Sequence, residues 1–585
     1  MRRQSDQLSI VHAVEHHEKA TRLLWPGKAL PIGTAERLLG PGAPFELAIE
    51  DGSGSASKVF EHRPRSLVEV LTSGAERFPN RPYLVFPDRT LTFDSVVGAA
   101  ARVAEGLKSS FGVGAGDRIG IAAANHVEYA LLFWAAASLG AITVGFNGWW
   151  TGPELAYAAR LTEPRVVFAD RRRMERVAGI DLDTTVCPLE ETVAELEAKG
   201  AGASLPEVVS DECDPLVILF TSGTTGRPKG VPISHRNVIH FALATQLRGA
   251  ELRARAAAAG AEAPPPSLPC ALNASPMFHV SGLTCTMVPA PMSGLTLVYP
   301  PPGRWQEDVH LALTEQHKVS NWSLVPTQLW RLLDWPDFER YDLSSLRSVG
   351  GGSAVWPPEL LRRLEERLPW VRPALGLGYG MTETNGLGTA LGGAASFLHP
   401  DSVGEPSPTV EVEIRDPKTR RALAEGQVGE IALRSATVFA GYWRDPVATE
   451  AAIEDGWYHT GDVGTHREGF VYLAGRRSDL IIRGGENVSP VEVENRLFEH
   501  PAVAEAAVIG VPHETLGQQV KAFLVLKDGN EVTAEEVRTF SGAALASFKI
   551  PEHIEFVDAL PHNASGKVLK HLLFGEGATS DFIEE

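Results

Sequence analysis

The spacing of apolar residues changes period repeatedly along the first third of the chain. A helical spacing over residues 66–77 and again over 93–107 predicts two amphipathic helices, and the apolar run 118–122 predicts a buried strand. Residues 129–146, YALLFWAAASLGAITVGF, carry no charge and nearly reach the length of a bilayer span. Gly140 divides them into a helix-like half and a β-branched half, 142–146, so the run reads as a core helix feeding an interior strand. A further strand at 165–169 closes the series. Strands alternating with helices in this way make a parallel or mixed sheet covered by helices, an α/β fold with layered sheets.

Breaks in this rhythm set the expected organisation. Residues 1–60 precede it and end near DGSGSAS, a flexible composition, so they read as an N-terminal extension. A large N-terminal domain follows over 61–477. After a break near 475–479 the chain restarts with strand, helix, strand, helix and strand, giving a small α+β C-terminal domain over 478–575 and a tail over 576–585. Residues 249–266 are Ala-rich and end in prolines, which reads as a surface helix or mobile insertion without chemistry.

Composition narrows the function. At 585 residues the chain exceeds what one hydrophobic core supports, and 44% hydrophobic with 22% charged residues is the balance of a globular protein. Lys plus Arg number 54 against 73 Asp plus Glu, a formal charge of -19 without a basic run, which excludes a nucleic-acid partner. Cys187, Cys213, Cys270 and Cys285 show no CxxC spacing, so neither a zinc site nor a disulfide framework is expected. The N-terminus lacks the apolar segment of a signal peptide. A cytoplasmic protein without a transmembrane segment is expected; the assembly state stays open, a homodimer included.

The strongest chemical signal follows the apolar run 216–220, read as a buried strand. It is TSGTTGRPKGVPISHRN, starting at Thr221. Gly223, Gly226 and Gly230 let a backbone turn closely round a phosphate chain, while Thr221, Ser222, Thr224 and Thr225 offer hydroxyls and Lys229 a charge. Such a loop cradles a triphosphate. It is not a Walker A loop, because Lys229 is followed by glycine rather than by a hydroxyl residue.

This loop resembles the phosphate-binding signature of the adenylate-forming superfamily, which includes acyl-CoA synthetases, firefly luciferases and peptide-synthetase adenylation domains. Four later segments extend the resemblance: GGGS at 350–353 with GYGMTETNG at 378–386, WYHTGDVG at 457–464, GRRSDLIIRGGENVSPVEVEN from Gly475, and LPHNASGKVLK at 560–570. The resemblance implies that 61–477 is the adenylation domain and 478–575 a mobile C-terminal domain. It implies a nucleotide pocket with Gly352, Ser353, Tyr379 and Gly380, the aromatic face of Tyr379 meeting adenine. Thr382 then faces the α-phosphate, Glu383 and Thr221 hold Mg2+, and Asp462 takes the ribose hydroxyls. Arg476 contacts the nucleotide, Gly484 and Gly485 form a turn beside the pantetheine path of CoA, and Lys567 is the catalytic lysine of adenylation. Ser478 stands at the hinge, where the family usually has Asp or Lys. Ser489, Pro490 and Glu492 read independently as a helix start with N-cap, N1 proline and capping-box glutamate.

The segment SPMFHVSG at 275–282 resembles the family segment that separates the acyl pocket from the thiol channel, with His279 as the gate. Relatives that activate amino acids place an aspartate nearby to pair with the substrate ammonium; none occurs between Ala274 and Thr284, which favours an uncharged acyl chain or ring. Trp149, Trp150, Trp322 and Trp330 are candidates to line an apolar pocket. The expected function is ATP-dependent activation of a carboxylic acid, fatty or otherwise apolar, to acyl-AMP and then thioester formation with CoA. The alternatives are loading of a carrier protein's phosphopantetheine and a non-catalytic nucleotide-binding protein on the same fold.

Overall fold

The uncharged run at 129–146 folds as two pieces. Its helix, Val127–Ser138, is buried on every side, and Gly140 at φ 67° turns the chain into the buried strand Ile142–Gly145. A helix apolar all round belongs inside a core. Among the described residues no helix is long and apolar enough to cross a membrane. Ser66 lies just outside the helix Leu67–Arg77 and caps it, accepting a hydrogen bond from the Glu69 amide. The helix expected over 93–107 runs one turn further, Phe93–Phe111, and stops where Gly112 adopts a left-handed conformation. This is a computed structural model; it describes residues 33–51, 56–177, 180, 182–206, 211–221, 228–258, 269–352, 356–393, 395–476, 479–483, 486–527, 529–562 and 567–574.

Three sheets organise the α/β chain. The first has six strands in the spatial order Lys229–Ser234, Pro215–Thr221, Ile142–Gly145, Arg118–Ala122, Val166–Ala169 and Thr185–Pro188. All are parallel except Lys229–Ser234, which folds back on Pro215–Thr221 as a hairpin. The second sheet has 14 strands. Its parallel part includes Asn321–Ser323, Ser348–Gly351 and Leu375–Tyr379, and an antiparallel wing continues through Thr389–Gly392, Ser402–Pro406, Phe470–Arg476 and Trp457–Arg467. The third has five strands, all beyond residue 480, with the helices Pro490–Phe498 and Ala534–Gly542 and an apolar core of its own that includes Ile481, Val493, Leu497, Val508 and Leu524. Parallel strands leave their ligand crevice at the carboxyl ends. Thr221 and Tyr379 end such strands, and Gly352 directly follows one.

Two sequence readings are corrected. The described part of 1–60 is docked: a helix, Thr34–Leu39, precedes the antiparallel hairpin Leu47–Asp51 with Ala56–Phe60. The fully buried Arg63 side chain fixes it, donating to Glu50, to Glu212 149 residues away and to the Phe60 carbonyl. Arg236 joins the same two carboxylates. Burial opposes charge on Glu212, but the hydrogen bonds and charges of Arg63 and Arg236 outweigh it and lower its carboxyl to about 2. The second correction concerns 249–266. The helix His235–Ala258 runs well into it, and Glu251 is 0% exposed, so the described part, 249–258, is buried on one side; 259–266 lie outside the described residues.

Arg63→Met leaves two carboxylates without their buried partner. Breaking such a pair costs about 3 kcal/mol, so amide exchange in the hairpin should rise roughly a hundredfold. Because the Glu212 pKa is depressed in the folded protein, its stabilisation is complete above the unfolded glutamate value, 4.5, and is lost as pH falls toward about 2. Hydrogen exchange of the hairpin at stepped acidic pH checks both.

Candidate active site

The antiparallel strands Trp457–Arg467 and Phe470–Arg476 place Asp462 directly opposite Arg476. Side chains opposite one another share a face, and here the Arg476 Nε lies 2.8 Å from Asp462 Oδ1. Tyr379, at the end of its strand, donates its hydroxyl to Asp462 Oδ2 at 2.8 Å. Both carboxylate oxygens are therefore engaged. Asp462 is 5% exposed, and burial raises its pKa against the opposing pull of Arg476, Tyr379 and Lys567. Arg476 also donates to the Thr460 carbonyl, and its own carbonyl accepts from the amides of both Asp479 and Leu480 at 3.0 Å, closing a tight turn into the third sheet.

Beyond Tyr379 the chain makes a 3-10 turn, Thr382–Thr384, that carries Glu383. Gly380 permits it, because a Cβ there would collide with the backbone of Gly386. A Cβ at Gly352 would likewise come within 2.9 Å of the Gly378 carbonyl oxygen. Glu383 is 7% exposed, and its Oε1 accepts from the Tyr442 hydroxyl at 2.9 Å. Burial raises the Glu383 carboxyl, while its own backbone amide, Tyr442, Arg476 and Tyr458 oppose the rise. Lys229 Nζ stands 4.7 Å above the Tyr442 ring, a cation–π contact, and Lys229 pairs in register with Thr221 across the hairpin. The two strand ends that flank the glycine- and threonine-rich loop are thus tied to Glu383.

Lys567 comes from the C-terminal segment and lies within electrostatic range of Asp462, Asp479 and Arg476. Its side chain reaches solvent, yet protein surrounds it on enough sides to lower its ammonium pKa; Arg476 adds to this, and Asp462 and Asp479 oppose it. Lys570 is engaged elsewhere, 2.6 Å from Glu494. Ser489 caps its helix as expected, accepting from the Glu492 amide, but Glu492 pairs with Lys549 at 2.6 Å.

His279 belongs to a segment pinned by Asn125, which donates to the Ser275 carbonyl and accepts from the Met277 amide. Burial pushes its imidazole down to about 4, so it is neutral at physiological pH, and no hydrogen bond reaches its buried Nε2. The π-helix Leu283–Met287 follows, with the Cys285 thiol donating to the Asn385 carbonyl. Of the four tryptophans, only Trp149 meets this segment, its ring 5.1 Å from Phe278. Trp150 packs on Phe220, and Trp322 and Trp330 belong to the core beneath the helices on the far face of the second sheet.

The structure therefore brings together Tyr379, Glu383, Asp462, Arg476 and Lys567, with Lys229 linked to Glu383 through Tyr442 and Thr221 opposite Lys229 across the hairpin. Ser222, Gly223, Thr224, Thr225, Gly226, Ser353, Ser478, Gly484 and Gly485 lie outside the described residues. The sequence reading missed Tyr442, Tyr458 and Asn125. Tyr458 lies within the segment WYHTGDVG and was open to notice; Tyr442 is 59 residues from Glu383 and only the fold joins them.

Two family models match: the AMP-binding enzyme over residues 71–443 and the AMP-binding enzyme C-terminal domain over 492–567. The long-chain-fatty-acid–CoA ligase of Bacillus subtilis is 31% identical over 561 residues, 89% of this chain and 96% of its own length. A feruloyl-CoA synthase of an Amycolatopsis species is 33% identical over 487 residues, 82% of this chain and 92% of its own. The o-succinylbenzoate CoA synthetase of Bacillus subtilis, solved with its acyl-adenylate intermediate, superposes with a TM-score of 0.73 at 30% identity, covering 88% of this chain and 99% of that one. With that agreement along nearly the whole length, the chain belongs to the AMP-binding enzyme family and is an AMP-forming acyl-CoA ligase that works through an acyl-adenylate.

Proposed function

We propose that the acid this ligase activates is apolar over most of its length, a fatty or aryl acid, and that the cluster around Asp462 and Glu383 performs the adenylation. The convergence of Arg476, Asp462, Glu383 and Lys567 at the carboxyl ends of parallel strands carries this reading. Asp462 takes the ribose hydroxyls, Tyr379 lies against adenine, and Gly352, Ser353 and Gly380 let the base approach. Ser222, Gly223, Thr224, Thr225 and Gly226 wrap the β- and γ-phosphates with Lys229. Thr382 holds the α-phosphate.

One oxygen of the acid attacks the α-phosphorus, the bond to the β-phosphate breaks, and pyrophosphate leaves with that electron pair. Lys567 bridges the incoming carboxylate and the α-phosphate, where negative charge redistributes in the transition state. Among the described residues no group of three or more acidic, histidine or cysteine side chains gathers to hold a metal. Glu383 and Thr221, hard oxygen donors, would hold magnesium, an ion that needs only one or two protein ligands. Bound there, it would offset charge on the departing pyrophosphate. In the second step a CoA thiol, losing its proton, attacks the acyl carbon and AMP leaves. For this the C-terminal unit rotates about Ser478, withdrawing Lys567 and bringing Gly484 and Gly485 to the pantetheine, with neutral His279 as the gate.

We assign the acid to the open space beside the strand Leu375–Tyr379, on the side that the helix His235–Ala258 approaches, and call this space the groove. Gly376 and Gly378 are exposed within the second sheet, and a Cβ on Gly376 would meet nothing within 4 Å. Phe241 approaches the same groove, 3.9 Å from the Cβ position of Gly386.

Lys567→Ala should lower acid-dependent exchange of labelled pyrophosphate into ATP by at least about a hundredfold while sparing thioester formation from supplied acyl-AMP. Equal loss in both half-reactions would overturn the role given to Lys567. The ammonium is the active form and its pKa is lowered, so the exchange rate should fall, as pH rises, below the ordinary lysine value of 10.5. Tyr442→Phe removes one hydrogen bond to a carboxylate and should cost about tenfold in kcat/KM for ATP, measured by AMP release.

A further inference from the structure

The groove does not end in apolar side chains. From Phe241 to Arg248 the helix His235–Ala258 advances two turns, about 10 Å. Arg248 then reaches across to the sheet, its Nη2 3.4 Å from the Cβ position of Gly392. Gly392 pairs with Gly376, so Arg248 stands on the same face of the sheet, one strand over from the space that lies open beside Gly376. Glu405 pairs with Ala390, which pairs with Gly378, so its side chain is on the same face of the sheet. Arg248 Nη1 lies 3.9 Å from Glu405 Oε2 and 3.9 Å from Glu251 Oε2.

These ion pairs are long, and the carboxylates are poorly bonded for their burial. Glu251 is 0% exposed and Glu405 4%, yet neither oxygen of Glu251, nor Oε1 of Glu405, has a hydrogen-bond partner among the described residues. Buried polar groups left this way cost free energy unless something polar meets them. We propose that this cluster is the distal end of the acyl site and that the preferred acid carries a neutral hydroxyl at the end far from its carboxylate. The inference rests on the ligase reading above and refines its substrate.

The mixed charge bears on that chemistry. A second carboxylate would meet Glu251 and Glu405 as well as Arg248 and Arg255, which acts on both glutamates, and an ammonium would meet the same four groups, so neither sign of charge finds a site of purely opposite sign. A hydroxyl donates one hydrogen bond and accepts others, so it can serve carboxylate and guanidinium together. Burial holds both carboxyls at about 7, so each divides between donor and acceptor forms at neutral pH. A plain methyl terminus would leave the cluster unmet.

Pyrophosphate exchange with the whole protein tests this on medium-chain acids compared at equal length, ending in methyl, hydroxyl, carboxylate or ammonium. At the length that fills the groove, kcat/KM for the hydroxyl-ended acid should exceed that of the methyl-ended acid roughly tenfold or more. Arg248→Met and Glu405→Gln should each lower that ratio, which is measured within one preparation and is insensitive to the amount of folded protein. Methyl-ended acids equal or better at every length, or preference for a charged terminus, would overturn the proposal. Exchange with none of the acids, charged or neutral, would overturn the ligase reading beneath it.

Discussion

A carboxylate that is 5% exposed has to be satisfied from inside the protein, and much of the catalytic region follows from how Asp462 is satisfied. One oxygen meets Arg476 and the other meets Tyr379. Arg476 is the last residue of a strand in the antiparallel wing, and Tyr379 is the last residue of a strand in the parallel centre. The pairing therefore locks two parts of one sheet at the point where the crevice opens. It also sets the field felt by Lys567, which arrives from a different sheet and is drawn toward Asp462. Burial would be ruinous for an isolated charge; as a hydrogen-bonded hub it fixes geometry.

Glu383 is treated differently. It too is buried, but the Tyr442 hydroxyl that bonds it is a neutral phenol, and the cation that acts on it is Arg476. The two acids differ in what the fold sets beside them: Asp462 lies opposite Arg476 across a strand pair, whereas Glu383 sits on a turn next to Tyr442.

Much of this was legible in the sequence where the chemistry is local. The strand 118–122 stands as read, and Asp462, Arg476 and Lys567, singled out by their immediate neighbours, come together in the fold, whereas the loop hydroxyls Ser222, Thr224 and Thr225 lie outside the described residues. What escaped was whatever depends on long closure of the chain. Arg63 finds Glu212 at a separation of 149 residues, so the first 60 residues read as a loose extension although their hairpin is anchored. Glu251 sits in an alanine-rich stretch whose composition says helix but not which side faces the core. The tryptophans were open to either reading, pocket wall or core, and Trp150, Trp322 and Trp330 are found in packing contacts.

The tight turn after Arg476 bears on timing. Two amides close on one carbonyl, and the chain passes from the large sheet to the small one with almost no slack. A long tether would let the small unit search many orientations, and the second half-reaction would wait on that search. In the rotation proposed above, a connection this short would act as a pin, confining reorientation to a few backbone torsions once the two amides release the Arg476 carbonyl.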